Sequence, residues 1–300
     1  MTTLGFLVKR NIKLFFKDKG VFFTSLITPL ILLLLYVTFL GNVFKDTFLQ
    51  IFTGPIAIDE KLINGLVGGQ LLSSLLAVCC ITVAFCSNMI MVQDKVTNAT
   101  SDLSMTPVNK STLALAYYIS TFINTLLVCF VAVGCCFIYV ACVGWYYTLK
   151  DVMLILLDVF LLVTFGTALS SIINYFLTSQ GQMSAVGTIV SSCYGFICGA
   201  YMPIASFPTI LQKVISFLPG TYGTALIRNH AMNPVLKEIE NVGISDAVTS
   251  IVRDEIDINI YFFDNLVEVW QMFLILIVIG ILLIGVYVLM NSLMKKKKTN

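Results

Sequence analysis

The chain has 300 residues, of which 58% are hydrophobic and only 11% charged, with a mean hydropathy of +0.94 and a formal net charge of +2. A soluble globular chain carries about 25% charge, so lipid rather than water must be the solvent for most of this one. The same numbers exclude a disordered chain, a collagen-like fibre and a secreted disulfide scaffold, and they argue against nucleic-acid binding.

Residues 4–19 come first. Leu4, Leu7, Val8, Ile12, Phe15 and Phe16 recur at helical spacing, and Lys9, Arg10, Lys13 and Lys17 fall on the other side. This pattern predicts a basic amphipathic helix lying flat in the inner membrane interface, against anionic lipid.

A membrane helix needs about 20 apolar residues. Charge-free windows supply them at Gly20 to Phe44, Leu62 to Gln93, Ser111 to Leu149, Val159 to Gln212 and Val269 to Met294. The first is too long for a cleaved signal peptide and reads as a retained anchor. The third contains no proline and reads as one long helix, with Trp145, Tyr146 and Tyr147 in the far interface. The fourth is too long for one span, and Thr178-Ser179-Gln180-Gly181-Gln182 places a turn in it.

The expectation is an all-α integral membrane protein, a single domain over 1–300. Six spans lie at about 21–41, 68–92, 112–142, 152–177, 183–202 and 270–294. Lys9, Arg10, Lys13, Lys17 and Lys19 precede the first span, and Lys295 to Lys298 follow the last. Positive charge marks the cytoplasmic side, so both termini are expected there, which requires an even number of crossings.

Two connecting segments stand out. The cytoplasmic loop from Gln93 to Lys110 predicts a short helix stopped before Pro107, with Leu103 and Met105 as its apolar contact point. The outer segment, 203–269, is broken early by Pro203, Pro208, Pro219, Gly220 and Gly223. Its pieces Thr209–Phe217 and Thr221–His230 are too short to span and predict a pair of re-entrant helices in the outer leaflet. Asn233-Pro234 then reads as a cap followed by proline at a first helical position. Ser245-Asp246 reads as the cap of another short helix, with Val248, Ile251, Val252 and Ile256 on one side. Tyr261, Phe262 and Phe263 return the chain to the interface.

The nine cysteines, Cys79, Cys80, Cys86, Cys129, Cys135, Cys136, Cys142, Cys193 and Cys198, fall in or beside the spans. With no CxxC and with His230 as the single histidine, they read as small packing residues rather than a metal site or thiol catalyst. Asp158 is the one acid inside a span, and such a group is a functional candidate by default. Asn124 and Asn174 are weaker candidates for a translocation path, since interhelical hydrogen bonds account for them equally well. A secondary transporter or channel would need more charged groups than this, and a membrane-embedded enzyme would need a constellation that one histidine and one acid do not supply. No Gly-x-x-x-x-Gly-Lys-Ser/Thr occurs, so the chain carries no ATPase motif and is not itself an enzyme.

The order of parts resembles the permease of an ABC-2 type ATP-binding-cassette exporter over nearly the whole chain. Phe16-Lys17-Asp18-Lys19 ends the basic helix just before a span bearing Pro29. Met105-Thr106-Pro107-Val108 is similar to the family's Thr-Pro ending of the cytoplasmic loop, although Gln93-Asp94-Lys95-Val96-Thr97-Asn98 departs from its usual Glu-Arg-Glu-x-Gly-Thr run. Gly199-Ala200-Tyr201-Met202-Pro203, Phe207-Pro208, Leu218-Pro219, Tyr222 and Arg228 are similar to its Gly-x-x-x-Pro, Leu-Pro, Tyr, Arg pattern.

The resemblance implies two permease copies, a homodimer, working with two cytoplasmic ATPase subunits that bind ATP and Mg; this chain holds no cofactor. The 93–107 stretch would be the coupling helix, with Asp94, Lys95, Asp102, Leu103, Met105 and Pro107 at the contact. Lys9, Arg10, Lys13, Phe16 and Lys17 would flank it. Pro203, Pro208, Pro219, Tyr222 and Arg228 would form an outer gate. The cargo would be amphipathic or lipid-like (a drug, toxin, peptide or glycolipid), exported across a bacterial plasma membrane.

Overall fold

The computed structural model describes residues 3–52, 58–106, 108–263 and 265–293. Pro107 and Lys295 to Lys298 therefore lie outside the described residues.

Helix α1, Thr3–Lys17, meets α2, Lys19–Leu35, at a sharp corner. Asp18 makes that corner: its backbone is extended and its carboxylate accepts from the Val21 amide at 3.2 Å, satisfying one of the donors that every helix start leaves orphaned. The first span does not stop near residue 41. A five-residue π turn, Tyr36–Leu40, carries the helix into α3, Gly41–Ile51, so the helical stretch Lys19–Ile51 is 33 residues long. Amphipathicity explains the extension. Tyr36, Phe44 and Phe48 are buried, Tyr36 stacks on Phe44, and Lys45 pairs with Glu60.

Helix α4, Glu60–Val96, is the axis of the molecule. It starts at an Asp59 cap and packs against α2, α6, α7, α8 and α10. It outruns the expected 68–92 because Glu60, Lys61, Asp94 and Lys95 can cluster at its two ends without breaking it. Helix α6, Lys110–Val143, begins at the charge that bounded its window, whereas α7, Leu149–Phe176, begins well before Asp158 and takes that acid into the helix. Thr148 and Asp151 cap α7 reciprocally.

Helix α8, Gln180–Ile197, begins inside the stretch 178–182 expected to be a turn, because Ser179 caps it by accepting from the Gln182 amide. It is 18 residues long and ends before residue 202, because Gly199, at φ +68°, turns the chain away. Its serines, glycines and glutamines also dilute its apolar character. Five helical stretches among the described residues are long and apolar enough to cross a membrane: Lys19–Ile51, Glu60–Val96, Lys110–Val143, Leu149–Phe176 and Val269–Ser292. The protein is a multi-pass membrane protein.

The outer segment departs most from expectation. Helix α9, Thr209–Ser216, is short as anticipated, but α10, Pro219–Asn241, is a continuous 23-residue helix. Thr221–His230 is therefore not a separate short piece, and Asn233-Pro234 opens no new helix. Proline inside a helix forfeits one hydrogen bond and crowds the carbonyl four residues back. Burial overrides that local penalty: Leu226, Ile227, Ala231, Met232, Val235, Leu236 and Ile239 are all enclosed, with α10 packed on α4, α7 and α12.

Helix α11, Asp246–Glu255, follows, and of its expected apolar side Val252 and Ile256 are buried while Ile251 is exposed. Ser245 sits at its N-cap without a side-chain cap bond. Strands β1, Ile260–Phe262, and β2, Asn265–Val267, form an antiparallel hairpin with Ile260 opposite Val267, a small exception to the all-α expectation. Helix α12, Val269–Leu293, ends the described chain.

Candidate functional site

Three polar clusters stand out against the apolar interior. The first closes the end of α4. Asp94 is buried, and both its oxygens accept from Arg10 of α1, at 2.7 and 2.9 Å. The Tyr117 hydroxyl of α6 donates to the same carboxylate at 2.6 Å. This planar fork pins α1, α4 and α6 together, and the bond to Asp94 raises the Arg10 pKa above its ordinary value. Lys95 points the other way. Its ammonium donates to the carbonyls of Asn174, Tyr175 and Leu177 at 3.1, 2.6 and 3.2 Å. Those carbonyls lie at the C-terminal end of α7, where helical acceptors run short of amide partners and a cation complements the helix dipole; the Asn174 carbonyl also accepts from the Leu177 amide.

Asp94 and Lys95 therefore act within the chain rather than projecting from it, unlike Asp102 and Met105 of the expected coupling set. Asn98, at φ +61° in the left-handed region that asparagine tolerates, turns the chain into α5, Ala99–Met105. Asp102 and Met105 of α5 face outward, Met105 at 84% exposure, while Leu103 is half-buried. On α1, Leu7, Asn11 and Phe15 are buried, and Lys9, Lys13, Phe16 and Lys17 are exposed. Both α1 and α5 thus present exposed groups at this end of the molecule.

The second cluster lies among the spans. Asn124 donates to Ser87 at 3.0 Å, and Asn88 donates to Ser170 and Ser171 at 3.1 and 3.0 Å. Asn124, Asp158 and Asn174 are all buried inside the subunit, so the three expected path residues line no open passage in this conformation. Asp158 instead meets His230, with Oδ2 2.6 Å from Nδ1. The contact joins α7 to α10, and Phe273 of α12 packs against the imidazole. The sequence signal was there: the single histidine and the single acid inside a span. Splitting α10 into short pieces concealed that they could meet.

The third cluster gathers the outer residues. Arg228 is 1% exposed; its guanidinium donates to the Gly199 carbonyl at 2.9 Å and pairs with Asp257 at 3.3 Å. Asp257 also accepts from the amides of Ile204 and Ala205, at 2.7 and 3.2 Å. Burial pushes the Asp257 carboxyl up, while Arg228 and the two amides pull it back. A Cβ on Gly199 would sit 2.6 Å from Asp257 Oδ2, so this turn needs glycine for space as well as for its φ. Pro203 precedes the single-turn helix Ile204–Ser206, Pro208 precedes α9, and Pro219 opens α10 where its missing amide is harmless. Tyr222 donates to the Ser216 carbonyl, joining α10 to α9. Asp257, absent from the sequence reading, is the acid around which this turn closes.

The sequence model of the family described as ABC-2 type transporter matches residues 2–230. This chain belongs to the ABC-2 type transporter family. No individual curated protein matches it. The membrane domain of an ABC-2 transporter is a permease and not an ATPase, and the family normally works with a cytoplasmic ATPase subunit. In this ABC-2 permease the matched stretch runs from α1 to His230 in α10, so it takes in all three clusters except Asp257.

Proposed function

We propose that this ABC-2 permease is the translocating subunit of an ATP-driven exporter, coupled to a separate ATPase through α5 and the exposed lysines of α1. The observation that carries this reading is α5 itself. It is a seven-residue helix between two long spans, with Asp102 and Met105 outward and its corner fixed by Asn98. Asp94 and Lys95 serve as anchors behind the contact, tying that corner to α1, α6 and α7. ATP and Mg bind on the partner. Closure of the partner on ATP favours one of two permease conformations, and α5 carries the differential free energy of a few kcal/mol.

The chain crosses the membrane six times, with α8 as the fifth crossing and both termini in the cytoplasm of a bacterial cell. Two copies pair with two ATPases, and the turn held by Arg228 and Asp257 caps the outer side. The cargo is amphipathic or lipid-like, such as a drug, toxin, peptide or glycolipid.

Co-purification with the cognate ATPase tests the coupling. Met105→Asp places a charge on the most exposed apolar side chain of α5, and recovery of the complex should fall about tenfold at unchanged permease yield, a loss of roughly 1.4 kcal/mol. A complex whose transport-linked ATP hydrolysis survives removal of residues 99–105 would overturn the assignment. A second reading, a proton-coupled carrier, has the Asp158–His230 contact in its favour. Transport in ATP-depleted vesicles under an imposed pH gradient would establish it instead.

A further inference from the structure

A cavity of 720 Å³ opens on the outer flank of α2, between it, α4 and α6. Its near wall is the stripe Phe22, Leu26, Pro29 and Leu33 of α2 and Val37 of the π turn, at successive intervals of four, three, four and four residues. Leu75 and Cys79 of α4 form its floor, and Val131 and Cys135 of α6 form the opposite wall. From Phe22 to Val37 the groove extends roughly 22 Å at 1.5 Å per residue, most of a hydrocarbon core of about 30 Å.

One end of this apolar groove is cationic. Lys19 lies one turn before Phe22 on the same stripe of α2, and Lys13 lies one turn before the lining residue Phe16 on α1, with Lys9 a further turn back. All three lysines are exposed. The acid between them, Asp18, is engaged in capping α2 and lines a different cleft, with Thr24 and Gln180. The surface therefore pairs a long apolar channel with positive charge at a single end.

We propose that this groove binds an anionic phospholipid, its acyl chain along the α2 stripe and its headgroup phosphate against Lys13 and Lys19. Neither wall carries a charged side chain and the lining is almost wholly apolar, Tyr139 bringing the one side-chain hydroxyl, so the tail meets chiefly carbon and sulfur, and the lysines select the headgroup. The site lies on the flank of one subunit, away from α5, and shares only Lys13 with the proposed ATPase contact. It rests on the proposed topology only for its leaflet, the inner one.

The test is native mass spectrometry of the full-length permease in detergent, titrated with phosphatidylglycerol or with phosphatidylcholine of the same chains. Wild type should retain one phosphatidylglycerol in clear preference. Each cation beside an anionic surface contributes roughly a fivefold factor in binding, so Lys13→Gln with Lys19→Gln should reduce the preference by tenfold or more. Leu30→Trp with Val131→Trp, which fills the groove from two exposed positions at 57% and 69%, should abolish retention of either lipid. Leu282→Trp on α12, equally exposed at 57%, should change nothing.

Equal retention of the two lipids by wild type would overturn the proposal. So would an unchanged preference in the lysine variant, or a groove covered by a second copy of the chain with no lipid bound. If the tryptophan variant fails to fold, the surface lysine variant alone decides. None of these readouts involves an ATPase, so failure here and failure of the coupling assignment are separately visible.

Discussion

His230 and Asp158 form a buried pair whose two members depend on each other. Removing one partner of such a pair strands the other in a medium that cannot solvate it, at a cost of roughly 3–5 kcal/mol, whereas replacing both with apolar residues is often close to neutral. His230→Ala should therefore lower the unfolding temperature in detergent far more than the double variant Asp158→Leu, His230→Leu. Comparable losses in the two would mean that the contact contributes nothing beyond packing. Sequence alone showed that each residue was unusual, but not that they meet, because they lie 72 positions apart and their proximity is a product of tertiary packing. Asp257 escaped for a related reason. It sits in a polar, acidic stretch where a further carboxylate draws no notice, and only the fold brings Arg228 to it.

Among the helices, the close packing of α4, α7 and α10 depends on glycine. A Cβ on Gly69 would lie 2.9 Å from the Ala231 carbonyl, one on Gly166 2.7 Å from Ile81, and one on Gly223 2.6 Å from Leu162. Small residues let membrane helices approach closely where no hydrophobic force drives them together. Gly69→Val should destabilise the permease by about 1–3 kcal/mol through overpacking, read as a lower unfolding temperature. Gly134→Ala, whose Cβ would meet nothing within 4 Å, should be neutral or slightly stabilising, because alanine loses less backbone freedom in a helix.

Element boundaries were legible where charge or turn chemistry marked them. Lys110 and Thr148 stand at the starts of α6 and α7, and the break between α7 and α8 falls at 177–179, where the polar run begins. They were illegible where a local rule lost to burial. Pro234 reads as a boundary but sits inside α10, and Asn42, Lys45 and Asp46 read as a loop but extend the first span.

Taken whole, the molecule has charged groups at both ends and a polar outer segment folded back over its core. The proposed six-crossing topology would put the end of α10 outside the cell. Asn241→Cys, at an exposed position, in a background with the exposed Cys135, Cys142 and Cys193 changed to serine, should react with a membrane-impermeant maleimide in intact cells. Reaction only after lysis would invert or abolish that topology. The residues that name the family, from Phe16-Lys17-Asp18-Lys19 to Arg228, were readable because their order along the chain is itself the signal. What Asp94 and Lys95 do was not readable, since a charged residue at a helix end looks the same whether it faces a partner or its own neighbours.

Helix α4 has 37 residues, about 55 Å at 1.5 Å per residue. It is enclosed along nearly its whole length, jammed against the Ala231 backbone near one end and bolted to three other helices through Asp94 and Lys95 at the other. A rod gripped in this way has almost no play along its axis. In the proposed coupling, a pull on the corner at Asn98 would be passed along α4 to Gly69 and, through α10, to the turn that Arg228 and Asp257 hold. Under the proposed coupling α4 would work as a pushrod, and filling the Gly69 contact would be felt at both of its ends.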